Sequence, residues 1–154
     1  MTRDILTVAL GTDHAGFGYK EKIKSFLHKG HYKTKDFGTF SEDSVDYPNF
    51  VKPAAQAVAD GLCDFGIVLG GSGNGEAIAA NKVKGVRCAL CWSTETAKLA
   101  KEHNNANVIA LGQRQMSLEL ALQIVSAWLD AKFEGGRHLK RIKMLESKKE
   151  FENL

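Results

Sequence analysis

Short apolar runs alternate along the chain with stretches whose apolar positions recur every three to four residues. The runs at 5–11, 32–37, 65–69, 86–91 and 108–111 read as strands, and the stretches at 17–28, 50–60, 76–82, 94–102 and 118–132 read as helices. The helical period is plainest in the last of these, where Leu118, Leu122, Val125 and Leu129 share one face. A final helix begins near Arg137, just after Gly135-Gly136, and is expected to run to about 153. Strands separated by helices predict a βαβ series on a parallel sheet. The expected fold is therefore α/β: an open doubly wound, Rossmann-like αβα sandwich with a five-stranded parallel sheet and a C-terminal helix.

The chain has 154 residues, only two prolines, no repeats and no low-complexity segment, so a single domain over 1–154 is expected. In doubly wound sheets ligands bind outside the carboxyl ends of the strands. Four of the five predicted strands end in residues able to do chemistry: Gly11-Thr12-Asp13-His14, the loop Gly70–Glu76, Trp92-Ser93-Thr94 and Gly112-Gln113-Arg114. The architecture lines them along one rim.

The loop Gly70-Gly71-Ser72-Gly73-Asn74-Gly75-Glu76 fails both nucleotide motifs. A dinucleotide fingerprint needs a third glycine where Glu76 stands, and a P-loop needs Lys and Ser or Thr where Glu76 and Ala77 stand. What remains is a nest of backbone N–H groups at a helix N-terminus, which stabilises developing negative charge. Glu76 at its edge could take a proton from carbon while the nest holds an enediolate, as isomerisation of an α-hydroxy carbonyl requires. The alternative is that Glu76 only complements the helix dipole. Because that dipole favours the ionised carboxylate, Glu76 is expected to become a competent base only in a closed, occupied pocket.

Arg137 and Arg141 lie four apart on the last predicted helix and could grip one phosphate together, with Arg114 joining them, or could simply be solvated. His14 at a strand end could hydrogen-bond a ligand oxygen. His103, at a helix C-terminus where the dipole favours a protonated ring, could donate a proton to a sugar oxygen or act only as a cap. Cys88 and Cys91 form C-x-x-C within a predicted strand, so their sulfurs point to opposite faces and cannot share a metal. No other His/Cys/Asp cluster has metal-ligand spacing.

Charge changes this picture little. A formal +3 does not argue for nucleic acid. The basic residues gather at the C-terminus, at Arg137, Lys140, Arg141, Lys143, Lys148 and Lys149, without the interleaved aromatics of a single-strand platform. Three cysteines, an odd number, suit a reducing compartment, and the opening apolar run is too short for a signal peptide or a membrane span. A cytoplasmic protein with neither nucleic-acid nor membrane partners is expected.

Taken together, Gly11-Thr12-Asp13-His14-Ala15-Gly16, Asp46-Tyr47-Pro48, Gly71-Ser72-Gly73-Asn74-Gly75, Ala79-Ala80-Asn81-Lys82, His103-Asn104 and Glu134-Gly135-Gly136-Arg137-His138 resemble the ribose-5-phosphate isomerase B family, which also includes the subunits of galactose-6-phosphate isomerase. The resemblance covers nearly the whole chain in order. It implies interconversion of aldose and ketose phosphates through a cis-enediol, with D-ribose 5-phosphate and D-ribulose 5-phosphate as substrates and no metal or cofactor. It also implies a homodimer whose pocket is shared between subunits, with the C-terminal helix at the interface and pairing into tetramers left open. By position, Asp13 and His14 would contact the sugar or its phosphate. Gly71, Ser72, Gly73, Asn74 and Gly75 would form the anion hole, with Ser72 beside O1 and O2. His103 would open the furanose ring, Asn104 would hold the substrate, and Arg114, Arg137 and Arg141 would bind phosphate.

The sequence departs from the family in one respect. Many members carry a cysteine base at the position of Gly70, whereas this chain resembles the branch in which a glutamate at the position of Glu76 takes that role. Cys63 precedes the third predicted strand and is a poor substitute. A tetrose or hexose phosphate isomerase, or a phosphosugar-binding protein that lost catalysis with the cysteine, are the alternatives.

Overall fold

The computed structural model describes residues 4–146. Its strands are β1 (Thr7–Thr12), β2 (Lys33–Asp36), β3 (Phe65–Gly70), β4 (Cys88–Leu90) and β5 (Val108–Gly112). Its helices are α1 (Phe17–Lys29), α2 (Pro48–Ala59), α3 (Asn74–Asn81), α4 (Thr94–Asn104), α5 (Leu118–Asp130) and α6 (Arg137–Leu145). All strands pair in parallel in the order β2-β1-β3-β5-β4. After β1 the chain moves outward to β2, then returns across β1 to build the other half from β3. The winding direction therefore reverses between β1 and β3, and the crevice expected of such sheets opens at their carboxyl ends.

The two faces of the sheet are packed differently. Val8, Leu10, Ile67, Leu69, Ile109 and Leu111 point into a layer with Ile23 and Leu27 of α1, Ala97 and Ala100 of α4, and Ile124 and Trp128 of α5. The intervening positions carry smaller groups, Ala9, Val68, Val108 and Ala110, and meet Val51, Ala54 and Ala55 of α2 with Ala79 and Ala80 of α3. Small residues let α2 lie close on the sheet. A side chain at Gly11 would come within 2.6 Å of the Phe50 carbonyl oxygen. Cys88 packs against the α2–α3 layer while Cys91 is buried in the other, so the C-x-x-C pair is divided as expected. Among the described residues, no helix is long and apolar enough to cross a membrane.

Two elements fall well short of their predicted extents. The run at 86–91 yields only the three-residue edge strand β4. Arg87 is held instead by side-chain bonds: its N–H donates to Asn107 Oδ1 at 2.8 Å, and its guanidinium donates to the carbonyls of Asn104 and Asn105. The last helix stops at Leu145, because Glu146 turns to extended backbone and pairs with Arg87 at 2.8 Å. The rest of the predicted helix to 153, with Lys148 and Lys149, lies outside the described residues.

Lys101 of α4 is buried, with its Nζ 4.1 Å from the Phe65 ring centroid and 4.8 Å from that of Trp128. Burial lowers its amine to about 8. A lysine whose folded pKa lies below its unfolded one costs stability while it is charged, and the cost fades as pH rises from about 8 past 10. Lys101→Met is expected to stabilise the protein by about 2 kcal/mol at pH 7. The gain should shrink toward zero above pH 10 in denaturant melts, and an equal gain at both pH values would refute this account of Lys101.

Candidate functional site

β3 delivers the chain into Gly71-Ser72-Gly73, and α3 begins at Asn74, two residues before its predicted start. This places Glu76 in the first turn of the helix. Gly73 adopts φ +83°, and a side chain there would also press on Leu90 and the Leu111 backbone, so glycine is required on two counts. Arg114 N–H donates to the Gly71 carbonyl at 3.0 Å, and Ser72 Oγ accepts from Asn74 N–H at 3.2 Å. Among the described residues the amides of Ser72, Gly73 and Gly75 take no partner. They remain available to an incoming oxyanion.

Glu76 does not project into solvent from its helix. It is 4% exposed, and its carboxyl occupies the space that a Cβ on Gly70 would fill. Gly70 thus leaves the vacancy into which the glutamate folds. Burial raises the carboxyl above the usual carboxylate range, against the pull of its own backbone N–H, and the charge of Asp13 raises it further. Desolvation thus opposes the helix dipole at Glu76, which is the condition on which its competence as a base was expected to depend.

Asp13 caps the short turn His14–Gly16, its carboxylate accepting from Ala15 N–H at 2.9 Å. His14 Nδ1 accepts from Val45 N–H at 3.2 Å, which assigns the ring proton to Nε2 and leaves that edge as a donor. Thr12 Oγ1 donates to the Leu69 carbonyl at 3.0 Å and ties the end of β1 to that of β3. The structure therefore brings Asp13, His14, Gly71, Ser72, Gly73, Asn74, Gly75, Glu76 and Arg114 to one rim. Tyr47 joins them, since a side chain on Gly75 would lie 2.7 Å from its ring. In the sequence it stands in Asp46-Tyr47-Pro48, one of the stretches that carry the family resemblance, directly before Pro48 at the start of α2.

The remaining candidates lie at the opposite end of the sheet. α4 runs back from the carboxyl end of β4, and Asn105, left-handed at φ 45°, ends it just before β5 begins. His103 and Asn104 therefore sit at the amino edge, where Glu134 N–H bonds the Glu102 carbonyl and α6 packs on α4. Arg137 and Arg141 are exposed on α6, while His138 and Ile142 of the same helix are buried. The length of β5, about 13 Å at ~3.3 Å per residue, separates these groups from the glycine loop. A groove of 470 Å³ at this edge is lined by Arg87, Asn104, Leu145 and Glu146, and no residue of the glycine loop lines it. The candidate residues of one chain thus fall into two groups at opposite ends of the sheet.

The fold also gathers donors that linear spacing does not reveal. His103, Glu134 and His138, which showed no metal-ligand spacing in the sequence, place their ligand atoms within 4.8 Å of one another.

The family model described as Ribose/Galactose Isomerase matches residues 8–145 of this chain. The chain belongs to the ribose/galactose isomerase family. Within that family it is 44% identical over 138 residues to ribose-5-phosphate isomerase B of Escherichia coli K12, covering 90% of this chain and 93% of that one. The structure of Clostridium thermocellum ribose-5-phosphate isomerase B superposes with a TM-score of 0.90 at 48% identity, over 91% of this chain and 95% of the other. A Mycoplasma genitalium ribose-5-phosphate isomerase B with bound ribulose-5-phosphate superposes with a TM-score of 0.88 at 38% identity, over 91% and 93% of the two chains. The ribose/galactose isomerase fold is therefore that of this chain across nearly all its described length.

Proposed function

We propose that the protein is an aldose–ketose isomerase that interconverts D-ribose 5-phosphate and D-ribulose 5-phosphate through a cis-enediolate. The observation that carries this reading is the Glu76 carboxyl, buried beneath Gly70 beside a loop of unpartnered amides. A desolvated carboxylate next to an anion hole suits proton abstraction from a carbon adjacent to a carbonyl. In the aldose-to-ketose direction Glu76 removes the C2 proton and returns it to C1. The amides at Gly71–Gly75 hold the charge on the oxygens, and Ser72 stands beside O1 and O2. The names of the family relatives, and the ribulose-5-phosphate bound to one of them, support the substrate class.

Ring opening is assigned to His103, substrate positioning to Asn104, and phosphate binding to Arg137 and Arg141 with Arg114. Asp13 and His14 contact the sugar or its phosphate. Because His103 and Glu76 lie at opposite ends of one sheet, a working site needs two copies. The arrangement supports a homodimer in which α6 carries its arginines to the partner's glycine loop.

The test is a panel of four-, five- and six-carbon aldose phosphates assayed for ketose formation, together with proton exchange at C2 in deuterated water. Fastest turnover with the pentose phosphate supports the assignment. Faster turnover of a tetrose or hexose phosphate would reassign the substrate. No exchange with any sugar phosphate would make the protein a binder rather than an isomerase.

Gly70→Ala provides a further check. The added methyl fills the space of the Glu76 carboxyl and forces it out of its buried seat. Turnover is expected to fall about 10²-fold or more, with binding of the sugar phosphate reduced far less. Unchanged turnover would show that the seat does not matter.

A further inference from the structure

Between α4 and α6 lies a group of donor atoms that the isomerase reading does not use together. His138 has only 7% of its side chain exposed, and its Nε2 is buried with no hydrogen-bond partner. An unsatisfied polar atom in such a position is uncommon and calls for an explanation. Glu134 Oε2 is 3.3 Å from that nitrogen and 4.0 Å from His103 Nε2. The two imidazole rings stack with centroids 4.2 Å apart and planes 14° from parallel.

The spacing has a chemical meaning. Nitrogen and oxygen ligands at about 2.0–2.1 Å from a tetrahedral ion stand about 3.3–3.4 Å from each other. The Glu134–His138 pair has that separation as it stands, with Glu134 in the segment that leads into α6 and His138 in the first turn of the helix. His103 is only a little too far. Stacked rings aim their lone pairs in parallel, so one ring must turn before both can face a single ion. His138 is held by burial, so the turn falls to His103, which has 36% of its side chain exposed at the end of α4. Two imidazole nitrogens and one carboxylate oxygen suit zinc and its first-row neighbours rather than magnesium or calcium. The partial exposure of Glu134 and His103 leaves a side open for a fourth ligand. The adjacent charges of Arg137 and Arg141 oppose a cation, so the site should be reversible and not one on which folding depends.

We propose that His103, Glu134 and His138 form a binding site for a zinc-type divalent cation, and that its occupation blocks isomerisation by capturing His103. The inhibitory half rests on the reading of His103 as the ring-opening group; the binding half does not.

Titrating the full-length protein with Co²⁺ and following its visible absorption tests binding directly, with Zn²⁺ added afterwards as competitor. The expected result is one ion per chain, with Glu134→Gln and His138→Gln each weakening binding at least tenfold. Glu134 is half exposed, so its variant keeps the test sound should His138→Gln fail to fold. In the isomerase assay Zn²⁺ should inhibit the wild type, and a chelator should restore the rate. The inhibiting concentration should rise at least tenfold for Glu134→Gln, measured against that variant's own metal-free rate. No bound ion at millimolar Co²⁺, or binding unchanged in Glu134→Gln, overturns the site. Binding that depends on Glu134 but leaves turnover intact overturns the inhibitory half. A metal-free wild type with no isomerase activity would refute the functional reading instead, while the Co²⁺ titration still decides the site.

Discussion

Replacing Glu76 with Gln is expected to lower kcat by about 10³-fold, the scale of a lost general base, while the sugar phosphate still binds. The substitution keeps the shape of a side chain that is 4% exposed and removes only its ability to accept a proton. Two further results should accompany the loss. The acid limb of the wild-type rate profile should lie above the ordinary carboxylate range, because burial and Asp13 raise the Glu76 carboxyl. An acid whose folded pKa is raised stabilises the fold at low pH and loses that contribution as pH rises through the folded value. The Gln variant should therefore melt higher than wild type at neutral pH and gain nothing in acid. Wild-type turnover in Glu76→Gln would remove Glu76 from the mechanism, whatever its stability.

The second large effect comes from mixing two inactive proteins. Glu76→Gln removes the proposed base at the carboxyl edge of the sheet, and His103→Asn removes the proposed ring-opening group at the amino edge. If each working site takes one half from each subunit, a mixed dimer holds one doubly damaged site and one intact site. Refolding the two variants together in equal amounts makes about half the dimers mixed, so activity should recover to about a quarter of wild type. Neither variant should approach that alone. Activity that stays at the average of the two parents would show that both residues act within one chain, or that His103 is not needed.

Much of this was legible in the sequence because the hydrophobic pattern of a parallel sheet is strong. Runs such as Phe65–Gly70 are apolar on both faces, and the glycine loop follows directly, so the carboxyl rim could be named without coordinates. The edge strand was read too long because Val86 and Arg87 look like strand residues. Side-chain bonds from Asn107 and to Glu146 hold that segment instead, and these partners are distant in sequence. The buried state of Glu76 was not legible for a similar reason. A helix dipole is visible in a linear motif, whereas desolvation depends on what Gly70 leaves empty. The division of the candidate residues between two edges follows from helix direction, once α4 is known to run back beneath the sheet. The His103–Glu134–His138 group needed α6 to fold onto α4, which no spacing rule encodes.

The seat shared by residues 70 and 76 also limits how such a protein can change over generations. A cysteine at 70 and an inward glutamate at 76 claim the same volume, so one chain cannot hold both in place. Acquiring the cysteine first would evict the glutamate before the new thiol had surroundings suited to it. Losing the glutamate first would leave glycine and no proton acceptor. Positions 70 and 76 are therefore expected to change together and not one at a time, because either single step leaves one residue without the counterpart its seat requires.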